Sequence, residues 1–134
     1  MAKLLDIEGI GPVYSEKLQK AGVGSVEALL KLGATPKERE ALAEKAGIDR
    51  KLILEWVNHA DLFRIKGVAE EYSDLLEEAG VDTVVELAQR NAENLLAKIQ
   101  EVNTLKKLVR RVPTLAQIKS WIEQAKALPR AIHY

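Results

Sequence analysis

Apolar residues recur along this chain at spacings of three and four rather than in alternation, so the pattern predicts helices throughout. The clearest case is Leu52, Ile53, Trp56, Val57 and Ala60, one helical face that runs on towards Phe63 and has Asp49 placed to cap it. Boundary residues mark the other helices. Gly22 ends the first one, and Ser25 opens a short helix through Lys31. Thr35-Pro36-Lys37-Glu38 joins an N-cap, a first-turn proline and a reciprocal acid, a capping box for a helix that stops at Gly47. Thr83 with Glu86 and Thr114 with Gln117 repeat the box, and Pro113 separates the last helix from a basic one before it. The tail after Lys126 has no helical period and is left unassigned, either framing the core or hanging free.

The pattern occurs twice. A shift of 58 positions lays Ile65-Lys66-Gly67-Val68 on Ile7-Glu8-Gly9-Ile10, Tyr72-Ser73 on Tyr14-Ser15, and Ala79-Gly80-Val81 on Ala21-Gly22-Val23. With seven further residues allowed in the second copy, Trp121 falls on Trp56. The organisation this predicts is one helical domain over residues 1–134. Repeat 1 spans about 4–61, repeat 2 about 62–126, and the tail 127–134, with one shared core because halves of about 60 residues bury too little surface alone.

Each copy opens on a tight glycine turn. In Gly9-Ile10-Gly11-Pro12 the first glycine can take a positive φ, Ile10 can point inward, and Gly11 can cap the helix that Pro12 begins. A helix then starts at an exposed loop poor in side chains, where backbone N–H groups and a partial positive charge are placed to hold a phosphate. At these residues the chain resembles the helix-hairpin-helix motif, which grips a DNA backbone without reading bases. That resemblance implies phosphate contacts from the backbone of Gly11 and Val13 beside Gly9. The motif usually adds a base in the first helical turn, where Val13 and Tyr14 stand here; Lys17 lies one turn on, with Glu16 working against it. In the second copy Ala69 replaces the second glycine and Glu70-Glu71 fill the first turn, so Gly67 and Ala69 are expected to be structural and an anion to be repelled. The tandem arrangement, with the Thr-Pro box, the tryptophan helix and the stretch Leu105–Pro113, also resembles an uncharacterised bacterial family filed as a domain of unknown function. That second resemblance implies a fold and no activity.

Charge refines the picture without settling it. Twenty basic and twenty acidic side chains cancel, so any nucleic-acid binding must come from a local patch. From Leu87 onward nine Lys and Arg face three acids. Within that region Leu105, Leu108, Val109 and Val112 read as one apolar stripe, which leaves Lys106, Lys107, Arg110 and Arg111 on the outer face of a helix. That face can track a phosphate backbone, or be solvated, or pair with the acidic helix of the same chain. No aromatic residues interleave it to stack on bases.

Catalysis and cofactors find no support. There is no cysteine, nucleophile elbow, phosphate loop or dinucleotide fingerprint, and His59 and His133 lack metal-ligand spacing. Tyr14 and Tyr72 read as core or rim, and Trp56 and Trp121 as core. No run is apolar enough to span a bilayer, and the N-terminus is no signal peptide, which points to a cytoplasmic protein without a membrane partner. The expectation is an all-α, non-enzymatic binding module with no metal or cofactor. Two partners remain open: duplex DNA, held weakly and without sequence preference, or a protein partner or second copy meeting the acidic second repeat.

Overall fold

Side-chain caps set most helix starts. The structure, a computed structural model, describes residues 3–134, and the side chains of all of these but Ala69 and Glu70. The described residues are all-helical, with eight α-helices and a 3-10 turn at Leu4–Asp6. In order they are α1 (Pro12–Lys20), α2 (Val26–Leu32), α3 (Pro36–Ala46), α4 (Arg50–Leu62), α5 (Ala69–Glu78), α6 (Val84–Ala88), α7 (Ala92–Lys106) and α8 (Leu115–Ala127). Ser25, Thr35, Thr83, Asn91 and Thr114 each accept the backbone N–H three residues on, and Asp49 accepts that of Lys51 at 2.8 Å. At Thr114 the expected box closes, with Gln117 Oε1 accepting the Thr114 N–H at 2.8 Å. At Thr35 and Thr83 the acid accepts the threonine hydroxyl instead, at 2.9 and 3.4 Å. A hydroxyl can give its proton to a carboxylate while its oxygen still caps the helix, and the charge strengthens that bond.

α1 and α5 end alike. Val23 N–H donates to Leu18 O and Gly22 N–H to Gln19 O, while Val81 donates to Leu76 O and Gly80 to Glu77 O. These are Schellman closures, with the glycines at φ +95° and +93° and the flanking Leu and Val buried together. A Cβ at Gly22 or Gly80 would be strained at that φ whatever the space around it.

Packing divides the chain into two compact units, Met1–Asp61 with Arg130–Tyr134, and Leu62–Pro129. In the first, Ile7, Ile10, Leu18, Leu29, Ile53 and Trp56 are buried, and Trp56 lies 5.1 Å from the Tyr14 ring. Arg130–Tyr134, the end of the tail, is part of this unit. Ile132 is 2% exposed, and His133 N–H donates to Ala34 O at 2.7 Å, so the end of the stretch left unassigned above packs against α3 and the loop before it. Arg39 holds it there: its guanidinium, 6% exposed as a residue, donates to Gly33 O and His133 O, both at 2.9 Å, and lies 5.7 Å from the Tyr134 ring. Burial lowers the Arg39 pKa, while Tyr134 and Glu38 oppose that shift.

In the second unit Ile65, Val68, Leu76, Leu87, Ile99, Ile118 and Trp121 form the buried cluster, with Trp121 5.3 Å from the Tyr72 ring. α8 matches α4 in length at 13 residues, whereas α7 has 15 against 11 in α3. The loop after α7 is also longer than the one after α3. One correction follows from that loop. The stretch Leu105–Val112 is not a helix with a basic outer face, because α7 stops at Lys106 and Lys107 turns left-handed at φ 51°. Asn103 explains the break: its side chain donates to Val109 O and accepts from Val109 N–H, both at 3.0 Å, giving the backbone an alternative to helix. Pro113, buried, then forbids a helical Val112.

Candidate nucleic-acid interface

The head of α1 is built from the turn before it. Ile10 N–H donates to Ile7 O at 3.1 Å, which buries both isoleucines and leaves Gly9 at φ +93°. A Cβ there would stand 3.4 Å from Trp56 Nε1, so the turn closes against the tryptophan of its own unit. Gly11 is the N-cap, extended at φ −88° and ψ −178°, and its carbonyl accepts the first helical bond, from Ser15 N–H at 2.9 Å. No side chain caps this end and its first turn holds no acid. The N–H groups of Val13 and Tyr14 therefore belong to the first-turn donors that a helix cannot satisfy by itself. Nothing stands within 4 Å of where a Gly11 Cβ would be, and Val13 is 67% exposed.

Lys17 is better placed than the sequence implied. Glu16 turns to Lys20, 3.1 Å away, instead of opposing Lys17, because the i,i+4 spacing puts those two side by side. The Lys17 ammonium sits 5.9 Å from the centre of the Tyr14 ring. Gly9, Gly11 and Val13 thus come together at one exposed helix end, while Lys17 stands in the last turn of the same helix.

The head of α5 differs. Gly67 repeats the positive φ at +95°, and a Cβ there would stand 3.1 Å from Trp121 Nε1. Val68, however, is helical at φ −83° and ψ −63°, so the turn runs into the helix without the extended step that Gly11 makes. Gln124 of α8 clamps the loop, accepting Lys66 N–H at 2.9 Å and donating to Lys66 O at 3.2 Å. Glu71 is exposed in the first turn; the side chains of Ala69 and Glu70 lie outside the described residues.

The four cations of the basic stretch lie in the second unit, at the end of α7 and in the loop beyond. Lys106 pairs with Glu78 of α5, so part of the cluster is answered by the acidic helix of its own unit. Lys107, Arg110 and Arg111 are exposed. On α5, Asp74, Glu77 and Glu78 bring carboxylate oxygens within 4.8 Å of one another. Sequence reasoning missed the Gln124 clamp and the buried Arg39, for which helical spacing carries no signal.

Tyr72 ties the loop to α5, its phenol donating to Arg111 O at 3.3 Å. Burial pushes that phenol above its usual pKa, Glu71 adds to the shift and Arg111 opposes it. As pH rises the unfolded chain loses this proton first, so the group's stabilisation is complete below about pH 10 and declines above it. Tyr72→Phe is expected to flatten the alkaline limb of Tm against pH, at a cost near neutrality of about 1 kcal/mol. Melting curves from about pH 9 to 11 check this.

These features define an all-helical protein of two units, each headed by a glycine turn closed against a tryptophan. The chain belongs to the family described as Domain of unknown function (DUF4332), which matches residues 8–128. Comparison with curated proteins and with solved structures found no match. No helix of the described residues is long and apolar enough to cross a membrane.

Proposed function

We propose that this chain is a non-enzymatic binding module made of two pseudo-symmetric helix-hairpin-helix repeats. In this reading the first repeat holds a phosphate of duplex DNA weakly and without sequence preference. The observation that carries it is the head of α1: an extended glycine cap, no side-chain cap, no first-turn acid and open space beside Gly11. Lys17, over the Tyr14 ring and four residues after Val13, is the cation the same helix offers.

The matched turns at Gly9 and Gly67 and the paired Tyr–Trp contacts support the repeat reading. We take the two repeats to fold as one cooperative domain. A fragment of residues 1–61 lacks Ile132 and the His133 carbonyl that Arg39 bonds, and is expected to show no cooperative transition at the intact midpoint.

A phosphate titration followed by amide chemical shifts tests the site. Shifts are expected at Gly11 and Val13 and not at Glu71. With one competent hairpin, about one or two phosphates are engaged, so log K against log salt should have a slope of about −1 to −2, with Kd on the order of 10⁻⁴ M. Gly11→Val should weaken binding at least several-fold without loss of fold, since the new side chain meets open space and φ is ordinary. The competing reading is a protein-interaction or scaffold module. It draws on the exposed acids of α5, and it stands if duplex binding is absent even at about 20 mM salt.

A further inference from the structure

The last turn of α7 and the loop beyond it expose apolar and basic side chains together. Leu105 is 78% exposed and Leu108 37%, and Lys106, Lys107, Arg110 and Arg111 beside them are exposed as well. From Val102 to Ile122 the chain holds five Lys and Arg and no acid. This is a held loop. Asn103 brackets Val109 with two bonds, Lys107 N–H donates to Asn103 O at 2.8 Å, Tyr72 holds Arg111 O, and Val109 and Val112 pack on the interior. Lys107 takes its left-handed φ where the first unit uses Gly47. The fold thus holds the segment in place while leaving Leu105 largely, and Leu108 partly, in water.

We propose that this loop docks the chain peripherally on an anionic phospholipid surface, with Leu105 and Leu108 entering the headgroup–acyl boundary and the cations facing lipid phosphates. The surface is complementary in both respects: anionic headgroups attract clustered Lys and Arg, and the layer beneath accepts leucine. A duplex phosphate backbone answers the charge and gains nothing from the leucines. Glu78 offsets one cation, which leaves three for the surface. Peripheral docking by a surface segment needs no helix long and apolar enough to span a bilayer, and the described residues contain none. This inference is independent of the phosphate site on α1.

Sedimentation with vesicles tests it. The intact protein is expected to co-sediment with vesicles of phosphatidylcholine containing about 30% phosphatidylglycerol, and not with phosphatidylcholine alone. About 0.5 M salt should weaken the binding. The double variant Leu105→Ser/Leu108→Ser should lower the partition coefficient about ten-fold or more, with an unchanged melting midpoint showing that the fold is kept. Lys107→Glu/Arg110→Glu should lower it at least as far. Failure to bind anionic vesicles overturns the proposal. So does binding that the leucine variant leaves unchanged, or a loop that binds duplex DNA and not vesicles.

Discussion

Deleting Arg130–Tyr134 is expected to destabilise the protein by about 3–5 kcal/mol and to lower Tm by about 10–20 °C. The segment is short, but its contacts are of the costly kind. Ile132 is buried, and burying such a side chain is worth about 1.5–3 kcal/mol. Arg39 loses the His133 carbonyl, and a hydrogen bond to a charged group contributes about 1.5–3 kcal/mol. Ala34 O loses its His133 N–H, and Asn58 loses the Tyr134 hydroxyl 2.9 Å away. Arg39→Ala in the full chain should cost a similar amount, since it strands the Gly33 and His133 carbonyls. The two changes share the Arg39–His133 bond, so the double variant should cost less than the sum of the two. Urea titrations of the four proteins measure all of this; additive losses would show that Arg39 and the tail stabilise the unit separately.

What could be read from the sequence follows from how far each determinant reaches. N-caps are local chemistry, so Ser25, Thr35, Asp49, Thr83 and Thr114 mark helix starts that the structure keeps. The Gly9-Ile10-Gly11 turn is legible for the same reason, because positive φ, an inward isoleucine and a glycine cap are properties of neighbours. The end of α7 is different. Leu105, Leu108, Val109 and Val112 have helical spacing, and the pattern alone continues the helix. Asn103 and Pro113 compete from either side of that stretch, and the backbone follows them. The clamp on the second hairpin was beyond a local reading, since Gln124 lies 58 residues from Lys66. The tail was equally so: its only signal is one isoleucine, and its partners are Arg39, Ala34 and Asn58. The difference between the two hairpins was half legible. The acids after Gly67 are plain in the sequence, whereas the helical Val68 that removes the extended step is a matter of backbone geometry.

Trp121→Ala is the other change expected to cost about 3–5 kcal/mol, as large-to-small substitutions of a buried aromatic do. Trp121 fills the interior of the second unit, meets the Tyr72 ring at 49°, and walls the glycine turn. The wall makes a sharper test possible at Gly67. An alanine there suffers twice, from a left-handed backbone, worth about 1–2 kcal/mol, and from a Cβ 3.1 Å from Nε1 of the buried Trp121, which must shift by a few tenths of an ångström. Gly67→Ala should therefore cost about 2–4 kcal/mol in the native chain. In a Trp121→Leu background, where the indole is gone, only the backbone part should remain. The cycle should thus show a coupling of about 1 kcal/mol or more. Gly9→Ala with Trp56→Leu should couple less, because the corresponding approach is 3.4 Å. Chemical denaturation of both sets of variants gives the two coupling energies. If Gly67→Ala costs the same with and without the indole, the turn is held by its own φ alone and the tryptophan does not shape it.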